Sequence, residues 1–222
     1  MAGLKDNVRQ ILSWLPGYVE LVAAAKGRPV EEVLEAIEAG VKIIGENYIQ
    51  DAEKRFPAIG SKVKWHFIGH LQKNKVKKAV RIFNLIETVD SAAIAREIDK
   101  ACASINKVMP VFIEINSGRE ENKSGVLPEK AEGLIKDISG FPNIKILGIM
   151  TMGPVSANPE DCRLYFRETK ELFDKIRINH DIKYLSMGMS DSYHIAIQEG
   201  ANIVRLGTAL FGPQKPNKKG VK

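Results

Sequence analysis

A closed parallel (β/α)8 barrel is the α/β fold class that this sequence predicts, on three observations. Short, near-continuous apolar runs alternate with amphipathic helical stretches along the chain, as strands covered on both faces require. Eight such runs lie between about residues 18 and 208. No GxGxxG turn opens an intervening helix, which makes a doubly wound open sheet the weaker architecture.

The elements follow in order. A helix over Leu4 to Leu15 is stopped by Pro16 and Gly17, and YVELVAAAK reads as the first strand, ending at Lys26. Val30, Val33, Leu34, Ile37 and Val41 recur at helical spacing, with Glu31 and Glu32 in the first turn and Gly40 at the end. Strand two is KIIGENY; a helix over 48–56 leads to strand three, KWHFIG, at 64–69. The next helix turns Val76, Ala79, Val80 and Phe83 inward and its lysines outward. Strand four is LIETVD (85–90), followed by a helix marked by Ile94, Ile98, Ala101, Cys102 and Ile105. Strand five, PVFIEIN (110–116), gives way to the loop SGREENKSG and a helix carrying Ala131, Leu134, Ile135 and Ile138. Strand six, ILGIMTM (146–152), precedes a long helix with Cys162, Tyr165, Phe166, Thr169, Leu172, Phe173 and Ile176 on one face. Strand seven runs into Ser186, Met187 and Gly188, and Ser190 is expected to cap a helix that Gly200 stops. Strand eight runs into Gly207 and Thr208, after which TALFGP leaves room for only a turn. The extra N-terminal helix is expected to stand in for the missing last one.

Composition narrows the class. A chain of 222 residues buries a sizeable core without staples, and Cys102 and Cys162, on apolar helix faces, read as buried free thiols of a reducing compartment. The N-terminus has no signal-like apolar run and no segment approaches the roughly 18 apolar residues of a membrane span, so a soluble cytoplasmic protein without membrane contact is expected. The formal net charge is +6. Five cations fall in 73–81 (Lys73, Lys75, Lys77, Lys78, Arg81) and four lysines in the last eight residues. They read as a solvated helix face and a frayed tail; without aromatic interleaving to stack bases, no nucleic-acid partner is expected.

The strand ends of such barrels carry the chemistry, so their residues belong together. Small residues at Ser186, Gly188, Gly207 and Thr208, beside a helix N-terminus, suit a phosphate. Lys26 follows three alanines, and an apolar setting disfavours its ammonium and favours a nucleophilic amine. A phosphorylated aldehyde satisfies both features, pyridoxal 5'-phosphate (PLP) being the commonest such cofactor. Arg205, flanked by Val204 and Leu206, is costly to bury without a partner.

The segments AAAK (23–26), GENY (45–48), WHFIGHLQKNK (65–75), SMGMS (186–190) and IVRLGTALFG (203–212) occur together and in order. In them the chain resembles the pyridoxal phosphate homeostasis protein family over about residues 19–212. The resemblance implies a single-domain TIM barrel of PLP fold type III, related to the N-terminal domain of alanine racemase, spanning 1–222 with a basic tail at 213–222. It implies that Lys26 holds PLP as an aldimine, that Asn47 lies near the ring hydroxyl and that Arg205 faces the pyridine nitrogen. Ser186, Gly188, Gly207 and Thr208 would hold the phosphate. An arginine there leaves the ring nitrogen unprotonated and the ring a poor electron sink. The resemblance therefore implies a carrier that holds, buffers and delivers PLP, with apo PLP-dependent enzymes as recipients, rather than an established catalyst. A weakly active amino-acid racemase is the alternative, and an aldolase acting through Lys26 a further one. AAAK departs from the family in lacking the serine that commonly precedes the lysine.

Other candidates carry less. His66 and His70 are about 13 Å apart along a strand, too far for one metal ion, so a packed His66 and a loop His70 are expected. Lys123 shares the mouth with Lys26 and reads as a solvated loop lysine. Packing accounts for most of the methionines on strands six and seven, with Met150 and Met187 kept as candidates to touch the ring. No long exposed apolar face argues against a monomer.

Overall fold

The computed structural model describes residues 3–154 and 158–214. The order is α1 (Leu4–Trp14), β1 (Glu20–Ala24), α2 (Val30–Glu38), β2 (Ile43–Glu46), α3 (Ile49–Ile59), β3 (Lys64–Phe67), α4 (Val76–Ile82), β4 (Leu85–Val89), α5 (Ala92–Ala103), β5 (Met109–Ile115), α6 (Ala131–Ile138), β6 (Ile144–Thr151), α7 (Arg163–Arg177), β7 (Tyr184–Ser186), α8 (Tyr193–Gln198), β8 (Ile203–Leu206) and α9 (Thr208–Phe211). All eight strands are parallel, each pairs with the next, and β8 closes on β1 through Val22↔Arg205 and Ala23↔Leu206. The expected barrel is therefore the observed one. Helix α3 continues past its expected end to Ile59, with Pro57 inside its last turn.

Alternation along the strands sorts the core into two shells. Outward residues such as Ile44, Trp65, Phe67, Ile113 and Val204 pack beneath the helices together with Phe83, Phe166 and Ile98. Inward residues Val22, Ile43, Leu85, Phe112, Met150 and Ile203 form a separate apolar layer inside the barrel. Each such side chain contributes about 1.5–3 kcal/mol by leaving water. Both cysteines are buried and free.

The N-terminal helix does occupy the gap beside the short final one. Asn7 Nδ2 donates to Ala209 O (2.8 Å) and Leu210 O (2.7 Å), satisfying carbonyls that a four-residue helix leaves open. Glu199, at the end of α8, accepts from Arg163 Nη1 (2.9 Å) and Arg167 Nη2 (3.1 Å), which ties α8 to α7 and steadies the turn between β7 and β8. Among the described residues no helix is long and apolar enough to cross a membrane. The tail read at 213–222 lies outside the described residues from 215 onward.

Candidate functional site

The mouth of the barrel is built outward from the β8–β1 seam. Strand β1 ends at Ala24, two residues before the expected end, one residue past its last pairing with β8 (Ala23↔Leu206) and at its last pairing with β2 (Ala24↔Gly45). Lys26 consequently sits in a turn and is exposed, not enclosed in the apolar strand as expected. Its side chain has no hydrogen-bond or ion-pair partner among the described residues. Gly27 follows at φ +70, and Gln214 Nε2 donates to Lys26 O (2.7 Å). A Cβ on Gly27 would stand 2.9 Å from that amide nitrogen.

Arg28 binds this turn to the end of α9. Its guanidinium donates to the carbonyls of Phe211 (3.2 Å), Gly212 and Pro213 (3.4 Å). Arg55 supports Arg28 from below, donating to its carbonyl and to Glu46 Oε1 (2.6 Å). Burial pushes the Glu46 carboxyl up to about 7 against the pull of Arg55. The lysine-bearing turn and the segment after β8 thus form one braced unit.

Ser190 does not cap α8, which begins after Ser192. Its Oγ instead accepts from the N–H groups of Gly207 (3.2 Å) and Ala209 (3.0 Å). Those are orphan donors at the start of α9, the kind a phosphate oxygen would also satisfy. Gly188, at φ +91, lets the β7–α8 loop pass under α8: a Cβ there would lie 2.5 Å from Ala196 Cβ. Thr208 is exposed beside this cup, and Gly207 faces β1, where a Cβ would lie 3.6 Å from Ala24 O.

Arg205 points into the barrel below the cup. Nη1 donates to Ser186 Oγ (2.7 Å) and Nη2 to Thr151 O (2.9 Å). Ser186 Oγ donates in turn to Glu87 Oε2 (2.6 Å), and His66 Nδ1 lies 2.7 Å from Glu87 Oε1. Burial alone would raise the Glu87 pKa, but the hydrogen bond and charge of His66, with Arg205 and Ser186, hold it below the usual range. The residue is therefore a carboxylate, and it is the counter-charge that a buried Arg205 requires. Burial lowers the Arg205 pKa against the opposing charges of Glu87 and Glu114. Glu114, also inward, is pushed up to about 7 by burial and by the nearby Asp90 charge, with Arg205 opposing. Its Oε2 has no hydrogen-bond partner among the described residues.

Two sequence expectations change here. The Ser186 hydroxyl is committed to Glu87 and Arg205 inside the barrel, where it orients the arginine, and it is Ser190 whose hydroxyl meets the N–H groups at the start of α9. Met187, one residue on, points the other way into the helix-facing shell, so its side chain cannot meet a ligand in the mouth. Met150 does point inward, in register with Ser186. Asn47 is half-buried at the end of β2, next to a cavity of about 350 Å3 that it lines with Gly69, His70 and Lys75. Gly69 is required there, since a Cβ would fall 2.1 Å from Asn47 O.

His66 is packed and His70 exposed, as expected, and among the described residues no cluster of three metal-ligating side chains occurs. Lys123 is held by Glu120 Oε1 (2.5 Å) and by Gly153 O (3.4 Å) and is not a freely solvated lysine. Sequence reasoning missed Glu87, Glu114 and the role of Ser190. The first two carry a signal: each is a lone acid within an apolar strand at an inward position.

Residues 1–215 match the family model described as alanine racemase, N-terminal domain. A pyridoxal phosphate homeostasis protein of Aquifex aeolicus is 43% identical over 199 residues, spanning 88% of this chain and 87% of its own. One of Schizosaccharomyces pombe is 38% identical over 205 residues, spanning 90% and 86%. Among solved structures, PipY of Synechococcus elongatus with PLP bound has a TM-score of 0.87 at 27% identity, covering 95% of this chain and 100% of PipY. With the barrel, the ordered motifs and these relatives in agreement, the chain belongs to the alanine racemase N-terminal domain family and, within it, to the pyridoxal phosphate homeostasis proteins.

Proposed function

We propose that this chain binds pyridoxal 5'-phosphate at the C-terminal rim of its barrel and acts in intracellular PLP homeostasis, holding the cofactor and delivering it to apo PLP-dependent enzymes. The observation that carries this reading is the meeting at the β8–β1 seam of a Lys26 amine without a partner among the described residues, two backbone N–H groups gathered on Ser190, and the Arg205 guanidinium beneath them. An amine, an anion cup and a fixed cation form a donor set that fits the group. When bound, PLP supplies an aldehyde that condenses reversibly with amines.

The residues divide the work. Lys26 offers the amine from a braced turn. We assign the phosphate to the N–H groups of Gly207 and Ala209, with Gly188 and Thr208 beside them. The Ser190 hydroxyl, freed of its two donors, would turn to donate. Asn47 and Met150 are assigned to the ring. Arg205 keeps its proton throughout, so a ring nitrogen facing it stays unprotonated and draws electrons weakly. Glu87 and Ser186 hold that guanidinium in place. Such a site favours storage over turnover, and the proposed carrier works as a cytoplasmic monomer.

Reconstitution with PLP, borohydride reduction and peptide mass spectrometry test the proposal. A pyridoxyl mass on Lys26, absent from Lys26→Ala, is expected. No adduct, or an adduct confined to other lysines, overturns it. Exchange of an amino acid α-proton for solvent deuterium would replace the carrier with the racemase-like alternative.

A further inference from the structure

Opposite the rim, at the N-terminal end of the strands, lies a hollow of about 200 Å3. Its lining includes the residues that begin β1, β3, β4, β7 and β8, namely Glu20, Lys64, Leu85, Tyr184 and Ile203. His66 lines it too, although the residue is only 4% exposed. Glu87 is held as a carboxylate and can only accept, so His66 Nδ1 carries the proton in their 2.7 Å bond. Nε2 has no hydrogen-bond partner among the described residues and is left to the hollow.

From that nitrogen a polar thread crosses the apolar layer inside the barrel. It runs from His66 to Glu87, from Glu87 to Ser186 Oγ (2.6 Å) and from Ser186 to Arg205 Nη1 (2.7 Å), beneath the proposed phosphate cup. With His66 neutral, one carboxylate balances one guanidinium. A second proton, taken from solvent in the hollow and returned there, makes the imidazole a cation and gives the three groups one net positive charge. We infer that His66 is a positioning residue for Arg205 that takes its proton from the N-terminal end of the barrel, and that this proton strengthens the hold of the rim on an anionic ligand. The inference rests on the proposed cofactor site and adds a control at the opposite end of the barrel.

The groups around the imidazole set the balance. Glu87 bonds it from β4, Glu20 of β1 and Tyr184 of β7 line the hollow beside it, and Lys64 shares its strand. Arg205 of β8 stands 3.9 Å from Glu87, with Glu114 of β5 acting on it. From β2 and β6 the neighbours are Gly45 and Leu147, which carry no charge. Glu87 and Glu20 favour the imidazolium, and Arg205 and Lys64 oppose it. Three residues of strand, about 10 Å, separate His66 from the rim at Gly69, close enough for a unit charge inside a protein to change affinity a few-fold.

The ligand-free chain gives the first readout. In imidazole 1H–15N spectra His66, assigned by its loss in His66→Asn, is expected as the Nδ1–H form. Its titration should move to higher pH in Arg205→Leu, where a neighbouring cation is gone. PLP affinity gives the second readout. His66→Asn keeps a donor near the place of Nδ1 and cannot take the second proton. Lowering the pH from about 8 to about 6 should therefore favour the parent over this variant by at least about threefold. His66→Phe loses the donor as well and should bind about tenfold more weakly at both pH values, a loss that asparagine restores at the higher one. Circular dichroism checks that each variant is folded. A His66 titration that Arg205→Leu leaves unmoved, a neutral form protonated on Nε2, or a parent-to-asparagine affinity ratio that is the same at both pH values overturns the inference. A chain that binds no PLP at either pH refutes the cofactor reading instead, and the ligand-free titration then decides whether His66 answers to Arg205.

Discussion

Replacing Glu87 by Gln removes one negative charge from the barrel interior while keeping the side chain's size. Glu87 is fully buried, is bonded to His66 (2.7 Å) and Ser186 (2.6 Å), and stands 3.9 Å from Arg205 Nη1. At that separation an effective dielectric near 20 gives about 4 kcal/mol of attraction between carboxylate and guanidinium. A glutamine strands a buried cation, which costs about 3–5 kcal/mol. The expected loss in urea unfolding is therefore about 3 kcal/mol, and with a slope of roughly 3 kcal/mol/M the midpoint falls by about 1 M. The measurement belongs near pH 5.5, below the pKa of about 7 at Glu114, so that Glu114 does not ionise and replace the missing charge. Adding Arg205→Leu removes the stranded cation, and the double variant should be more stable than additivity allows by about 2 kcal/mol. A Glu87→Gln midpoint equal to that of the parent, or strictly additive losses, would refute the reasoning and with it the account of how Arg205 is held.

Two further outcomes follow from the same site. Glu114 has a folded pKa of about 7 against an ordinary 4.5, so the folded state holds the extra proton between those values and stability falls as pH rises through that window. Glu114→Gln should flatten the decline and leave the variant more stable than the parent at about pH 8, by on the order of 3 kcal/mol; an unchanged slope in pH-dependent urea melts would rule this out. Ser190→Ala removes one hydroxyl from the proposed phosphate cup and should weaken PLP binding by about tenfold in an absorbance titration, the worth of one charge-assisted hydrogen bond. Unchanged affinity would remove Ser190 from the cup.

The barrel, its eight strands and the faces of its helices were legible because periodicity belongs to neighbouring side chains. Gly40 as a helix stop, the buried thiols and the packed His66 were legible for the same local reason. The candidate site was legible in kind but not in every assignment. Ser186 and Ser190 both lie in SMGMS, and composition does not tell which hydroxyl faces the interior. The register Ser186↔Ile203 does, by aiming Ser186 at Arg205 and carrying Ser190 across to the first turn of α9. Met187 was misread because one step along a strand reverses the side chain's direction.

By itself, the sequence determined which residues reach the rim: Lys26, Asn47, Gly188, Gly207 and Thr208 follow strands whose order and polarity the alternating pattern prescribes. Only the tertiary structure decided how Arg205 is kept charged inside the barrel. Its counter-charge, Glu87, lies on the fourth strand and the linking serine on the seventh, 99 residues apart, and no local pattern encodes a contact that exists only because the sheet closes on itself.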